Sequence, residues 1–583
     1  MALRGESFDS ETREHTSLGK PFRPLDGNIS IWAAAARENG HLFFSSHPLR
    51  AVLACPPSLH PPADLPALTF GLIPDKFRAR LSPMKATSMT PPGPAPASAR
   101  KTFFHPLLYN GFLAMVCSWQ ISIPAGARTW VEDSAARLAL VGGTPWTAPL
   151  SAINRQAAEL SRAVVPAGEY HTFVVGSAAA CRIDAPEGLD TEVFVVKSYP
   201  KSINGEWHLR PCYMPTHQQS EATGLWAVRF KAALPPGIHK LTISTSDQPA
   251  GTRVDYEFKV VDLKVPAADI PFGLWYDYNR FPDAYRSPRF EEMYIRDMAE
   301  HGMNTGTVYT WNAGKNDQVR QFRLMRKYGL DRFPIMLLVR CDDPAIPEID
   351  GHRFMLFGPD EPSLERRQEC ADSLVVARKL GMQHVTAINP RATWAFGELF
   401  DVCIVLRNGL TPALHDYAKE VGMELWMYDC SMRGTNPQMH RYFSGLYTWA
   451  VGAKGCYRWA YVHDKKSCVL PDGQWNARMD HEYVLPGPDG PISTLGWEGV
   501  REGILDYRVI RALEIKVLAG RGNPKTAEAA LWLARWKHSV DPKLYRGPAG
   551  LGGHPNRDNL LDTFDPGIDL ENLRAQAIEF LSE

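Results

Sequence analysis

From Ile270 onward the chain alternates short apolar runs with amphipathic stretches, and this alternation limits what it can fold into more than any other feature. The apolar runs fall at 272–278, 305–311, 333–339, 354–357, 384–388, 401–406, 424–428 and 455–461. Stretches with helical periodicity lie between them at 290–301, 317–328, 364–380, 411–421 and 437–451, and a last one at 497–518. Strands that alternate with helices are joined by crossovers and run parallel. Eight such units predict the α/β class and a (β/α)8 TIM barrel over 266–520. A doubly wound open sheet is the competing architecture, and eight units make it the weaker one. The run at 333–339 has no helical stretch, or a very short one, before the next strand.

The flanks read differently. Residues 129–265 carry short alternating runs at 137–141, 170–175, 191–196, 225–230, 239–244 and 254–261. Turn signals such as Pro186-Glu-Gly188, Asn204-Gly205 and Pro235-Pro-Gly237 separate them, which predicts a β-sandwich. Residues 521–583 read as a helical extension, with helices at 527–537 and 570–581. The segment 1–128 is expected to be disordered or processed, since 56–99 is rich in Pro and Ala with little periodicity. Within it, 84–127 has the layout of a secretory signal: Lys85, Arg100 and Lys101, an apolar run at 107–123, then Ala125-Gly-Ala127. That reading starts the mature chain near Arg128 and makes it secreted or periplasmic. The alternative is a first strand of the next domain in a cytoplasmic protein. No other stretch is long and apolar enough to span a membrane.

One strand end carries the densest chemistry. In Arg353-Phe-Met-Leu-Phe-Gly-Pro-Asp-Glu-Pro362 an apolar run is stopped by Gly358 and Pro359, and Asp360 and Glu361 follow side by side. In parallel α/β folds the C-terminal strand ends hold the ligand. Two carboxylates there supply one proton donor and one fixed negative charge. The other strand ends add Trp275, Tyr276 and Asp277; Tyr309 and Trp311; Arg340, Asp342 and Asp343; and Asn389. Arg407 and Asn408; Trp426, Tyr428 and Asp429; and Trp459, Tyr461, His463 and Asp464 complete the ring. Aromatic faces stack on sugar C–H groups and polar groups bond the hydroxyls, so this ring suits a saccharide. The 16 tryptophans agree with that, although a large barrel also buries aromatics. Asp360 has a second reading as a cap for the following helix, Asp429 as a plain loop residue, and each ring as simple packing.

The balance of 64 basic and 64 acidic residues argues against nucleic-acid or anionic-membrane partners. The ten cysteines form no CxxC pair, and no Cys/His spacing suits zinc. The adjacent Asp342 and Asp343 are weak grounds for an ion, so no metal and no cofactor is expected.

Several segments together resemble the glycoside hydrolase 123-like proteins and the related proteins with domain of unknown function 4091. They are Pro166-Ala-Gly-Glu-Tyr-His-Thr-Phe-Val-Val175, Phe357-Gly-Pro-Asp-Glu-Pro362 and Leu425-Trp-Met-Tyr-Asp-Cys430. Tyr447-Thr-Trp-Ala-Val-Gly-Ala-Lys-Gly455, Tyr457-Arg-Trp459 and Gly496-Trp-Glu-Gly-Val-Arg-Glu-Gly-Ile-Leu-Asp-Tyr507 complete the set. The resemblance runs from about Ala163 to the C-terminus and implies a β-sandwich joined to a (β/α)8 barrel. It implies a β-N-acetylgalactosaminidase-like enzyme using substrate-assisted retaining hydrolysis of an oligosaccharide or glycoconjugate. Carried over, Glu361 is the general acid and base, with a raised pKa, and Asp360 holds and polarises the sugar's acetamido group. Trp275, Tyr309, Trp311, Asn389, Trp426, Tyr428, Asp429 and Trp459 are the expected substrate contacts. Two alternatives stand beside it: an ordinary retaining glycosidase with Glu361 as acid/base and Asp429 as nucleophile, and a carbohydrate-binding protein without turnover.

Overall fold

The structure is a computed structural model that describes residues 146–149, 163–177, 181–203, 206–213, 224–245, 253–310, 315–339, 353–429, 437–463, 465, 468–469, 475–476, 482–520, 523–540, 542 and 567–583. The expected disordered segment and internal signal lie outside the described residues.

Nine strands precede the alternating region: β1 (Trp146–Pro149), β2 (Ala163–Pro166), β3 (Tyr170–Ser177), β4 (Cys181–Asp184), β5 (Thr191–Ile203), β6 (Glu206–Tyr213), β7 (Gly224–Lys231), β8 (Gly237–Thr245) and β9 (Arg253–Val261). They form two sheets, ordered β1-β3-β7-β5-β6 and β2-β9-β8-β4. Alternate residues of both sheets meet in one apolar cluster. Phe173, Val175, Trp226, Val228 and Phe230 come from the first, and Leu241, Ile243, Tyr256, Phe258 and Val260 from the second. This period-two pattern is what marked these runs as strands.

The eight apolar runs form one parallel sheet: β10 (Phe272–Leu274), β11 (Thr307–Tyr309), β12 (Ile335–Leu338), β13 (Phe354–Phe357), β14 (Gln383–Ile388), β15 (Val402–Leu406), β16 (Glu424–Asp429) and β17 (Cys456–Arg458). Its order is β10-β17-β16-β15-β14-β13-β12-β11, which leaves β10 and β11 at the two ends. Asn304 and Thr307 stitch these ends together. The Asn304 N–H donates to Phe272 O at 3.0 Å, its Oδ1 accepts from Phe272 N at 2.7 Å, and Thr307 Oγ1 accepts from Tyr276 N at 2.8 Å. The sheet therefore fits a TIM-like (β/α)8 barrel.

Two apolar cores follow from strand alternation. Met336, Leu338, Met355, Phe357, Val385, Ala387, Ile404, Trp426, Tyr428 and Tyr457 point inward and fill the barrel. Ile335, Leu337, Leu356, Cys403, Val405, Leu425 and Met427 point outward against the helices. These helices are α1 (Pro288–Glu300), α2 (Lys315–Tyr328), α3 (Arg367–Lys379), α4 (Pro390–Phe396), α5 (Pro412–Val421), α6 (Pro437–Tyr442), α7 (Leu495–Ala519), α8 (Pro524–Ser539) and α9 (Leu570–Ser582). The segment expected as one helix at 437–451 is interrupted by a π-helical turn at Phe443–Tyr447. A hairpin of Val484–Gly487 and Gly490–Ser493, absent from the sequence reading, leads into α7. The stretch expected to lack a helix after β12 lies largely outside the described residues. No helix among the described residues is long and apolar enough to cross a membrane.

Helix α7 joins all these parts. Gly499 and Gly503 bring it against α6 so closely that a Cβ would stand 2.2 Å from Pro437 O and 2.4 Å from Arg441 O. Its buried acids reach partners on several other elements. Glu498 accepts from Thr172 Oγ1 at 3.0 Å, from Arg229 at 3.1 Å and lies 3.2 Å from His301 Nε2. Burial alone would raise the Glu498 pKa, but Arg501, Arg229 and His301 hold it well below the usual carboxylate range. Glu502 meets His171 at 3.4 Å and Arg574 at 2.6 Å. Asp506 takes Arg441 Nε at 2.6 Å and Arg574 Nε at 2.5 Å. The first sheets, the barrel and the C-terminal helix α9 are thus tied by buried charge pairs on one helix.

Candidate active site

Asp360 and Glu361 lie side by side in the turn that follows β13. Gly358 N donates to Val385 O at 2.8 Å, and Glu361 N donates to Ala387 O at 3.0 Å. Between these bonds the chain advances from 358 to 361 on one strand but only from 385 to 387 on its neighbour. One extra residue is therefore accommodated, as in a bulge, and the strict up-down alternation is broken. Glu361 takes up the excess with a φ of 40°. A side-chain-bearing residue there costs on the order of 1–2 kcal/mol. Thr386 helps hold the strained turn, its Oγ1 donating to Pro359 O at 2.5 Å. Arg366 braces the other side: it donates to the carbonyl of Asp360 at 3.1 Å and is bidentate on Glu369.

Gly358 has no room for a side chain. A Cβ would stand 2.5 Å from His384 Nε2 and 3.3 Å from Phe400. His384 has little freedom to yield, because its Nδ1 lies 2.8 Å from Leu399 O and its Nε2 3.0 Å from Ser373 Oγ. Gly358→Ala is therefore expected to displace the carboxylate pair. It should lower turnover about a hundredfold through misplacement and cost about 1–3 kcal/mol of stability through overpacking. Steady-state kinetics and a denaturant melt check both. A variant with ordinary rates would show that the turn tolerates the shift.

Asp360 is open to solvent on one side but walled by protein on the others. That partial dehydration, with Glu361 beside it, pushes its carboxyl up to about 6, against a smaller opposing pull from Arg366. The sequence reading did not anticipate a raised pKa at Asp360. Asp360 does not cap the helix that follows: Ser363 precedes the 3-10 turn Leu364–Arg366, and α3 begins only at Arg367.

The expected sugar contacts separate into distinct groups. Tyr309 is buried, and its phenol is raised by that burial, then by the charges of Asp277 and Asp360, with Arg280 acting against them. It therefore keeps its proton. Trp275 is buried, tilted against Tyr428 with centroids 4.9 Å apart and 5.9 Å from Trp459. Trp275 and Tyr428 form a packed floor beneath the mouth. Trp459 is half-buried at the rim, its Nε1 donating to His463 Nδ1 at 3.0 Å. Trp426 lies deeper, stacked on Tyr457 with centroids 5.5 Å apart and bonded to Glu424 near the start of its strand. It is a core residue of the barrel interior. Asn389 accepts from Ala392 N at 2.9 Å and caps α4. Asp429 ends β16 opposite Arg458 in the ladder. Trp311, Arg340, Asp342, Asp343 and Asp464 lie outside the described residues.

Arg280 joins the site without having been singled out from sequence. It stands in the 3-10 turn Tyr278–Arg280 after β10, bonded to Asp277 at 3.3 Å and to His463 O at 2.9 Å. Its guanidinium carbon lies 5.0 Å from the centre of the Trp459 ring. Its one sequence signal was Asp277, three residues earlier and already at a strand end.

Residues 355–513 match the glycoside hydrolase 123 catalytic domain. The fold is similar to that of a family 123 glycoside hydrolase from Clostridium perfringens, studied for glycolipid glycan hydrolysis. The TM-score is 0.51 at 11% identity, covering 75% of this chain and 99% of that one. An endo-β-1,4-mannanase from Thermotoga petrophila is a more distant structural neighbour, with a TM-score of 0.29 at 10% identity over 41% of this chain and 76% of that one. No curated protein matches the chain.

Proposed function

We propose, from the premise that this chain is a glycoside hydrolase of family 123, that it removes β-linked 2-acetamido sugars, N-acetylgalactosamine foremost, with retention. The observation that carries this reading is the Asp360–Glu361 pair in the bulged turn at the end of the fourth barrel strand. The two sheets ahead of the barrel serve as a β-sandwich that buttresses α7.

In this reading the acetamido carbonyl oxygen of the bound sugar attacks C1 while the bond from C1 to the leaving oxygen breaks. Glu361 gives its proton to that oxygen. The Asp360 carboxylate accepts the acetamido N–H and offsets the positive charge of the oxazolinium ring. Water then attacks C1, Glu361 takes up its proton, and the ring opens to restore the acetamide. Two inversions at C1 leave the β configuration unchanged. Tyr309 bonds a sugar oxygen, and Trp459 lines the rim.

The pH dependence follows from the Asp360 carboxyl, which partial burial and the neighbouring Glu361 lift to about 6. The sugar N–H requires Asp360 ionised. Below about 6 Asp360 takes up a proton, and kcat/KM is expected to fall about tenfold per pH unit. The test uses aryl β-glycosides of N-acetylgalactosamine, N-acetylglucosamine and galactose, with a thiazoline analogue as inhibitor. Turnover confined to acetamido sugars, with strong thiazoline inhibition and loss in Asp360→Asn, supports the scheme. Hydrolysis of the galactoside that survives Asp360→Asn overturns it and moves the nucleophile elsewhere.

A further inference from the structure

Among the tryptophans whose side chains are described, Trp394 exposes 47% of its surface, while Trp226, Trp275, Trp426, Trp449, Trp497 and Trp532 are buried and Trp459 and Trp536 are half-buried. It stands in the second turn of α4, whose inner face buries Ala392, Thr393 and Phe396. Its ring lies 4.9 Å from that of Tyr417 on α5, at 30°. The supporting ring is itself held. Tyr417 OH donates to Glu398 Oε2 at 3.4 Å, and Arg367 on α3 donates to Glu398 Oε1 at 2.6 Å. Elements from three successive strand-to-helix units thus hold one aromatic pair with an open outer surface. The neighbouring Arg367–Glu398 pair is charge-balanced, which suits a neutral ligand.

The position also bears on the ligand. Helix α4 is capped by Asn389, just after the strand whose Ala387 carbonyl anchors Glu361. Five residues of helix place Trp394 about 8 Å along the barrel wall from that rim. A rigid, solvent-facing indole on the shoulder of a sugar-hydrolysing mouth has the shape and chemistry to stack on a pyranose C–H face.

We propose that Trp394 and Tyr417 form a second saccharide-binding platform, which holds a neutral sugar unit of a glycan chain away from the catalytic mouth. This rests on the glycoside hydrolase assignment but not on the substrate-assisted scheme.

The test is fluorine NMR on the full chain labelled with 5-fluorotryptophan, with the Trp394 resonance assigned from Trp394→Phe. Chitotetraose, cellotetraose and β-1,4-galactotetraose are titrated at millimolar concentrations. The expected result is a saturable shift of that resonance with at least one of them. Calorimetry on Trp394→Ala should then show a dissociation constant for that sugar weakened about tenfold. Tyr417→Phe, which keeps the ring but loses the Glu398 bond, should weaken it less. Hydrolysis of aryl monosaccharide glycosides should stay at the wild-type rate in all three variants. No shift with any of the three sugars overturns the proposal, and so does an unchanged dissociation constant in Trp394→Ala. Absence of aryl glycoside turnover in the wild type would strike at the catalytic reading instead and leave the resonance shift as evidence for the platform.

Discussion

Glu361→Gln is expected to lower kcat/KM on phenyl 2-acetamido-β-glycosides by about 10²–10⁴-fold, the usual contribution of a positioned general acid. The effect should shrink as the leaving group improves, because a dinitrophenolate departs without a proton. That dependence separates a lost proton donor from a damaged fold. Glutamine matches glutamate in size and has the same backbone preferences, so the 40° φ and the bond to Ala387 should persist. The Tm should therefore move little. If Glu361→Gln loses activity equally on both leaving groups, the acid lies elsewhere and Glu361 acts by position. If it loses none, the pair has no part in the chemistry.

The largest effect on stability is expected from Asp506→Ala. Asp506 accepts from Arg441 Nε at 2.6 Å and Nη2 at 3.0 Å, and from Arg574 Nε at 2.5 Å, with all three side chains buried. Glu571 and Glu502 remain as the other partners of these arginines. Removing Asp506 leaves two guanidinium groups in a dry interior with too little negative charge. Breaking such a pair costs roughly 3–5 kcal/mol, because the surviving charge is desolvated without compensation. For a domain of this size an apparent Tm lower by roughly 5 °C is expected at fixed scan rate. Asp506→Asn keeps the shape but not the charge and should recover only part of the loss. A Tm within a degree or two of wild type would show that water or a local shift replaces the carboxylate.

The two expectations differ in how far the sequence announced them. The Asp360–Glu361 pair was legible because the apolar run before it, the Gly-Pro stop and the periodic stretch after it are all local signals. The importance of α7 was only half legible. Glu498, Glu502 and Asp506 recur every four residues, so they share a face, and Gly499 and Gly503 share another. Nothing local says that the acidic face meets arginines 65 and 68 residues away. On sequence alone those acids look like a solvated stripe.

The aromatic residues mark the same boundary. Trp426 and Tyr428 have the same parity, so the sequence correctly puts both on the inner face of β16. Parity says nothing of depth. How the strands are staggered around the barrel decides that Tyr428 reaches the floor of the mouth while Trp426 sinks to the Tyr457 layer. Asn389 likewise stands at a strand end as expected, but the helix that starts there takes its side chain as a cap.

The sequence by itself therefore determined the eight alternating units and the presence of two carboxylates at one strand end. These follow from periods of two and 3.6 residues and from residues that stop a strand, all set within a few positions of one another. Only the tertiary structure decided that an extra residue is bulged out at Asp360–Glu361 and pinned by Val385, Thr386 and Ala387, and that the Asp360 carboxyl is lifted to about 6. It alone gathered Asp277, Arg280 and His463 around the Trp459 rim. Those features depend on which dehydrated groups come within a few ångströms of one another, and that distance is fixed by strand stagger and helix packing across hundreds of residues.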